Sequence, residues 1–284
     1  MRFVKKLAAA SVTTAVAAMM FASVAPASSH NPTGEFAQFA ECPLNNELVE
    51  NCVYSVTDGG SFTAGTRTVP LKNPVTLQGG FFGEGQEVTF VGAENGVTLS
   101  KTPQPVPGGL LGIVAPEWWP EWLQEWFNEF INNGITGVTA TVEIAGPASG
   151  IFLSTENLLN QEGTALGLPA KIKLDNAILG SNCYIGSDEA PVQIDFTSGK
   201  SGELEGSVGE ITFNETFTLI TISGGALVNG TFAAPAAEGC GGIFSFIVDP
   251  LVNAILGLPD AEGNSAILEG VLQSANANAV RASE

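Results

Sequence analysis

Histidine is nearly absent from the chain. His30 is the one copy among 284 residues. A general base must be held within hydrogen-bond reach of its partner. His30 lies three residues past Ala27, on what reads as an untethered terminus. Ser-His-Asp hydrolysis, Cys-His proteolysis and histidine-ligated zinc are therefore not expected. Cations are scarce too, with ten Lys and Arg against 29 Asp and Glu. No basic cluster could track phosphates, which argues against nucleic acid and anionic membrane surfaces as partners. Past the first 27 residues no apolar run reaches the length of a membrane-spanning helix. The nearest, between Ile243 and Leu258, is broken by Asp249-Pro250. No complete catalytic or cofactor motif is present, so no cofactor and no metal are expected. Gly199-Lys200-Ser201 suggests a phosphate loop, but Ile194 stands where that motif needs Gly; it reads as a polar turn.

What is present begins with a leader. Arg2, Lys5 and Lys6 form a basic start, Leu7 to Val24 is uncharged, and Ala25-Pro26-Ala27 supplies small residues for cleavage. Residues 1–27 thus read as a signal peptide, which places the rest outside the cytoplasm. Their removal takes away three cations and no acid, leaving seven against 29 and a net charge of −22. The plain reading of that acidity is a solvated, self-repelling surface. Cys42, Cys52, Cys183 and Cys240 make an even set in a secreted chain, hence two disulfides. Four cysteines allow three connectivities. Proximity along the sequence favours Cys42–Cys52 with Cys183–Cys240. No C-x-x-C and no nearby histidine support a metal site.

Three stretches alternate with period two. They are Val138 to Ile144, Ala170 to Asp175 and Val192 to Thr197. Each reads as an antiparallel strand with one dry face. Thr66 to Leu71 and Pro74 to Leu77 read as short strands after an Asp58-Gly59-Gly60 turn. Asn95-Gly96, between Val88–Val91 and Val97–Leu99, reads as a hairpin turn. Phe217 to Ile222, apolar on both faces, reads as a central strand. Ser28 to Phe39 reads as a loose arm. Asp249-Pro250 can cap and open a helix ending at Gly257, with Leu251, Val252, Ile255 and Leu256 buried. The expected fold is mainly β, an antiparallel sandwich-like or barrel-like sheet with one or two short packed helices. The expected regions are a disulfide-containing β region at 28–109, an aromatic helix at 110–134, and a main β region at 135–284 with a short C-terminal helix.

That aromatic helix is the most unusual local feature. Pro120 suits its first turn and Asn133-Gly134 its end. Trp118, Trp122, Trp126 and Phe130 fall on one stripe, with Trp119, Leu123 and Phe127 beside them. All four tryptophans of the chain lie here. Aromatic stripes at helical spacing usually pack a core, so the stripe is expected to plug the β domain. The functional alternative is an exposed surface for an apolar, glycan or protein ligand. Glu121, Glu125 and Glu129 argue against anionic lipid. Trp118, Trp122, Trp126 and Phe130 are the candidate ligand-binding residues. No catalytic residue is nominated. Asp188-Glu189 and Asp195 could serve carboxylate-only glycan hydrolysis, though acidic pairs occur in any acidic chain. Asp260, Glu262 and Asn264 alternate as in some calcium loops. Ser265 and Val271 occupy the positions where Gly and Glu are needed, so a solvated turn is expected.

Five stretches carry a resemblance: Val75–Gly80, Ala145–Ile151, Leu166–Leu174, Gly180–Ser187 and Gly239–Pro250. On these the chain resembles a family of uncharacterised secreted proteins from actinobacteria. The resemblance implies secretion and transfers no catalytic residue. The combined expectation is a secreted, extracellular or envelope-associated binding or structural protein without enzymatic activity. A carboxylate-based glycan hydrolase is the alternative. A pore-forming β-barrel ranks below it, because the clean alternations are shorter than the strands that cross a membrane.

Overall fold

Period-two alternation becomes strand wherever the sequence shows it. The computed structural model describes residues 30–83, 85, 88–132 and 136–284. The expected signal peptide and the expected stop at Asn133-Gly134 lie outside the described residues. In chain order the elements are β1 (Asn51–Ala64), β2 (Arg67–Pro70), β3 (Val75–Phe82), β4 (Thr89–Gly92), β5 (Gln104–Pro105), α1 (Glu121–Asn132), β6 (Thr139–Ile144), β7 (Phe152–Leu153), α2 (Thr155–Asn160) and β8 (Leu166–Asp175). They continue with β9 (Tyr184–Ile185), β10 (Val192–Phe196), β11 (Lys200–Ser201), β12 (Leu204–Glu205), β13 (Glu210–Phe213), β14 (Leu219–Asn229), β15 (Ala237–Glu238), α3 (Ser245–Leu256), β16 (Ser265–Asn276) and α4 (Ala277–Ala282).

Two seven-stranded antiparallel sheets face each other. The first runs β13-β14-β16-β1-β3-β4 with β2 also on β1; the second runs β15-β9-β8-β6-β5 with β7 and β10 on β8. Neither closes into a barrel, so the sandwich alternative holds. In β10, Val192, Ile194 and Phe196 are buried while Gln193 and Asp195 are exposed, as alternation demands. They pack with Ala170 and Ile172 of β8 against Val53, Phe62 and Phe81 of the first sheet. Paired hydrogen bonds between Thr197 and Val228 (2.9 and 2.8 Å) stitch the end of β10 to β14.

Asp58-Gly59-Gly60 is not a turn. It is a bulge inside the 14-residue β1, whose register on β16 slips between Thr57 and Gly59. β14 slips likewise between Ser223 and Gly225. Between the slips, Thr57, Gly270 and Gly225 lie side by side across three strands. The backbones there approach too closely for side chains. A Cβ on Gly270 would stand 2.0 Å from the Val56 carbonyl oxygen, and one on Gly60 2.0 Å from that of Ile267. This row, with Ser55 beside it, puts nothing large on the inner face. A cavity of about 120 Å³ remains between the sheets, opposite Leu158, Leu166, Leu168, Ile194 and Phe196.

The expected loose arm is folded. Residues Gly34–Phe39 form a 3-10 turn and Phe39 is buried with Cys42, Leu44, Val49, Leu219 and Val280 in a second, smaller core. The amide of Thr33 donates to Ser283 O at 3.1 Å, and the Arg281 guanidinium donates to Leu44 O and Asn46 O. The first described residues and the last therefore meet. The disulfides are Cys42–Cys52 and Cys183–Cys240, as expected from spacing. The first ties this cap to β1.

Three local readings change. The Asn95-Gly96 hairpin does not form, because both flanks pair with β3 instead. β4 lies along its C-terminal half, and Leu99 bridges Leu77 nearer its start. The Thr98 hydroxyl accepts from the amide of Ala93, and Asn95 Oδ1 from that of Val97, which closes the intervening loop without a strand pair. α3 begins at Ser245, with Pro250 inside it. Asp249 does not cap α3; its carboxylate accepts from the amides of Gly239 and Cys240. Val252 is buried, but Leu251 is exposed and Ile255 and Leu256 are half-buried. Phe217 precedes its strand and is exposed; only Leu219 onward joins β14, one strand in from the edge.

The glycine row gives a sharp expectation. Gly270→Ala forces a backbone collision and is expected to lower unfolding free energy by about 3 kcal/mol or more in a urea melt. Gly224→Ala meets no atom within 4 Å but has φ +66°, and should cost about 1–2 kcal/mol. Equal losses at the two sites would refute the close-approach account.

Candidate functional site

α1 carries two apolar columns about 100° apart, and only one can face the protein. The inner column is Trp119, Leu123, Phe127 and Ile131, of which Ile131 is buried and the others half-buried. Trp119 meets Phe127 edge to face at 5.4 Å. Ile131 is held from behind: its carbonyl accepts from Thr136 Oγ1 at 2.7 Å. The helix start is fixed by Pro120, whose carbonyl accepts from the amide of Leu123 at 2.9 Å, and by Gln124 Nε2, which donates to Trp119 O at 2.8 Å. Asn128 Oδ1 accepts from the amide of Ala115.

The outer column is the one expected to be core, and that expectation is corrected. Trp118, Trp122, Trp126 and Phe130 are 82, 68, 60 and 66% exposed. The helix is turned by one residue relative to the expected packing, so the neighbouring stripe plugs the domain. Trp126 and Phe130 stack at 6.0 Å with an interplanar angle of 13°. Beside them run Glu117, Glu121, Glu125 and Glu129, all exposed, and none forms a salt bridge among the described residues. An aromatic column thus lies against an uncompensated carboxylate column.

A second apolar surface went unread in the sequence. α3 and the turn before it expose Ile243, Phe244, Phe246, Ile247 and Leu251, and the approach to α1 exposes Leu111, Ile113 and Val114. Both segments are fastened to the β1–β2 turn. Thr66 N donates to Leu256 O at 2.8 Å, and Arg67 Nη1 to Gly112 O at 3.0 Å.

The carboxylates considered for hydrolysis are not assembled for it. A polar cleft of about 310 Å³ is lined by Lys101, Glu143, Lys171 and Asp188, among others, but not by Asp195. Its charges are paired: Lys101 to Glu143 at 3.3 Å and Lys171 to Asp188 at 2.7 Å. The Lys171 hydrogen bond, then the Gly146 amide, hold the Asp188 carboxyl below the ordinary carboxylate range. The Asp188 hydrogen bond in turn raises Lys171. A general acid needs the opposite shift. Asp195, on the exposed face of β10, accepts from Gln193 at 2.8 Å.

His30 is not untethered. Its Nδ1 lies 2.6 Å from Glu284 Oε1 and its Nε2 3.8 Å from Glu94 Oε2, so it is held against the C-terminal residue. Asn264 is fully buried, accepting from Gly65 N and donating to Phe232 O and Asp260 O, so it is spent on structure. Lys200–Ser201 is half of a small hairpin with Leu204–Glu205. Among the described residues no three His, Cys, Asp or Glu side chains converge as a metal site would require. No described helix is long and apolar enough to cross a membrane. The chain matches no protein-family profile, no curated protein sequence and no solved structure.

Two measurements follow. Acrylamide, a neutral quencher that the glutamates do not repel, should quench most tryptophan emission. Trp122→Ala should change stability by no more than about 0.5 kcal/mol, as surface substitutions do. A loss of about 3–5 kcal/mol would return the stripe to the core. The second concerns Asp188→Asn. The lowered Asp188 stabilises the fold above its unfolded-state pKa, and this is lost as pH falls through the folded value. The raised Lys171 stabilises below its own unfolded value, and this is lost as pH rises through the folded one. The stability gap between wild type and Asp188→Asn should therefore be flat near neutrality and close in acid and in strong base.

Proposed function

We propose that the chain is a secreted, non-enzymatic binding protein that captures a basic, partly apolar protein surface on the outer face of α1. The observation that carries this is the exposed column Trp118, Trp122, Trp126 and Phe130 running beside Glu117, Glu121, Glu125 and Glu129. Aromatic faces and carboxylates both attract cations, and an indole face binds Lys or Arg best where apolar contact also removes water. The net charge, −22 without residues 1–27, steers such a partner from a distance and repels acidic ones. Contiguous apolar exposure of this kind usually marks an interaction surface. Secretion is supported by the basic-then-apolar first 27 residues, by two disulfides of the kind that persist in oxidising compartments, and by the resemblance to secreted actinobacterial proteins.

The test is titration with an amphipathic lysine–leucine peptide and its glutamate–leucine counterpart, read by tryptophan emission and calorimetry. The basic peptide should bind and the acidic one should not. Raising salt to about 0.5 M should weaken binding about tenfold. The triple variant Trp118→Ala/Trp122→Ala/Trp126→Ala should lose binding with its melt unchanged. Glu121→Gln/Glu125→Gln/Glu129→Gln should weaken binding and reduce its salt dependence. Equal binding of the two peptides, or none of either, would refute the reading.

A further inference from the structure

We infer that the interior of the sandwich is a second binding site, for a small uncharged hydrophobic molecule. This site shares no residue with α1. Protein interiors pack to crystal density with few voids larger than a water, yet here about 120 Å³ lies between the sheets. Its floor follows from the strand register. Ser55 pairs with Leu272, and in the next rank Thr57, Gly270 and Gly225 sit side by side. Three neighbouring strands thus present a hydroxyl or a hydrogen at the point where a sandwich core ordinarily holds Leu, Ile or Phe. The chain cannot fill the gap at Gly270, whose Cβ would strike the Val56 carbonyl. The space is a built consequence of the paired bulges, not a lapse of side-chain choice. A second cavity of about 50 Å³ shares the walls Phe62, Leu71 and Val142, which extends the apolar space along the sandwich.

The walls define the ligand. No Lys, Arg, His, Asp or Glu lines the larger cavity, so a charged group would enter unpaired. Its polar side chains are Ser55, Thr57 and Ser207, and none of these hydroxyls makes a hydrogen bond to another described residue. The volume is near that of an engineered apolar cavity of about 150 Å³ that takes benzene. The fitting class is therefore a compact hydrocarbon, an aromatic ring or short alkyl chain, with at most one neutral hydroxyl-type group. That hydroxyl would be met by Ser55 or Thr57.

The experiment titrates the full chain with benzene, 1-hexanol and hexanoate, following melting temperature and the methyl resonances of Leu166, Leu168 and Ile194. All four tryptophans lie between residues 118 and 126, so tryptophan emission reports the α1 surface and not the cavity. Benzene and 1-hexanol should raise the melting temperature saturably and move the methyl signals with emission unchanged. Hexanoate should bind at least about tenfold more weakly. Ser55→Leu fills the floor and should abolish binding while the fold is kept. Ile194→Ala enlarges the roof and should admit n-butylbenzene, which gives an independent reading if Ser55→Leu fails to fold. The inference is overturned if neither benzene nor 1-hexanol binds wild type, if binding survives in Ser55→Leu, or if it is lost in the α1 tryptophan variant instead. The last outcome would leave the α1 reading standing, and failure of the peptide titration would leave this one standing.

Discussion

Close approach of backbones at a line of glycines governs this fold. β1, β16 and β14 meet where Gly59-Gly60, Gly270 and Gly224-Gly225 lie in neighbouring strands. Two of those strands carry an extra residue at this level, Asp58 in β1 and Gly224 in β14, and the neighbouring Gly60, Gly225 and Gly270 let the backbones close around them. Each bulge tightens twist locally and keeps the pleat in phase on both sides. Ser55 and Thr57 before the slip and Phe62 after it thus share one face with Leu268, Gly270 and Leu272. The long strands can then cross the whole molecule without turning their apolar residues outward. The same device hollows the core at its midpoint. Continuity of the sheet and incomplete filling of the sandwich are two results of one steric condition.

Much of this architecture was legible. Alternation in Val138–Ile144, Ala170–Asp175 and Val192–Thr197 located β6, the second half of β8, and β10, because each has one wet face to write the pattern. The disulfide pairs were legible from spacing. The bulges were not. Asp58-Gly59-Gly60 carries the same composition as a turn, and what makes it a bulge is the partner strand, more than 200 residues away. The Asn95-Gly96 hairpin fails for a related reason: only Gly96 takes the positive φ that a two-residue hairpin turn asks of both positions, and β3 offers both flanks a longer pairing edge than they offer each other. At Asp249-Pro250 the carboxylate had better donors at Gly239 and Cys240 than in its own helix.

For the candidate surface, the sequence identified the helix and its residues but not its rotation. Two apolar columns of equal strength fit α1, and nothing within 118–131 decides between them. The decision comes from Thr136, Gly109 and Ala115, which hold the Ile131 side of the helix against the domain. The exposed face of α3 was illegible for the opposite reason, since its hydrophobicity is nearly continuous and shows no side at all. Apolar content alone carries no direction; a helix's outward face is written in what its neighbours bond.

The meeting of Thr33 with Ser283 has a consequence for presentation. Thr33 and Ser283 are hydrogen-bonded beside the Asn51 end of β1, while Thr66 and Arg67, just past the other end, hold α3 and the approach to α1. Fourteen residues of strand separate these poles by on the order of 40 Å. Chain entering the fold at Thr33 and chain leaving it at Ser283 therefore stand on the same foot. The segment that leads into the aromatic helix is fastened at the other pole, through Arg67 and Gly112, a single strand's length from that foot.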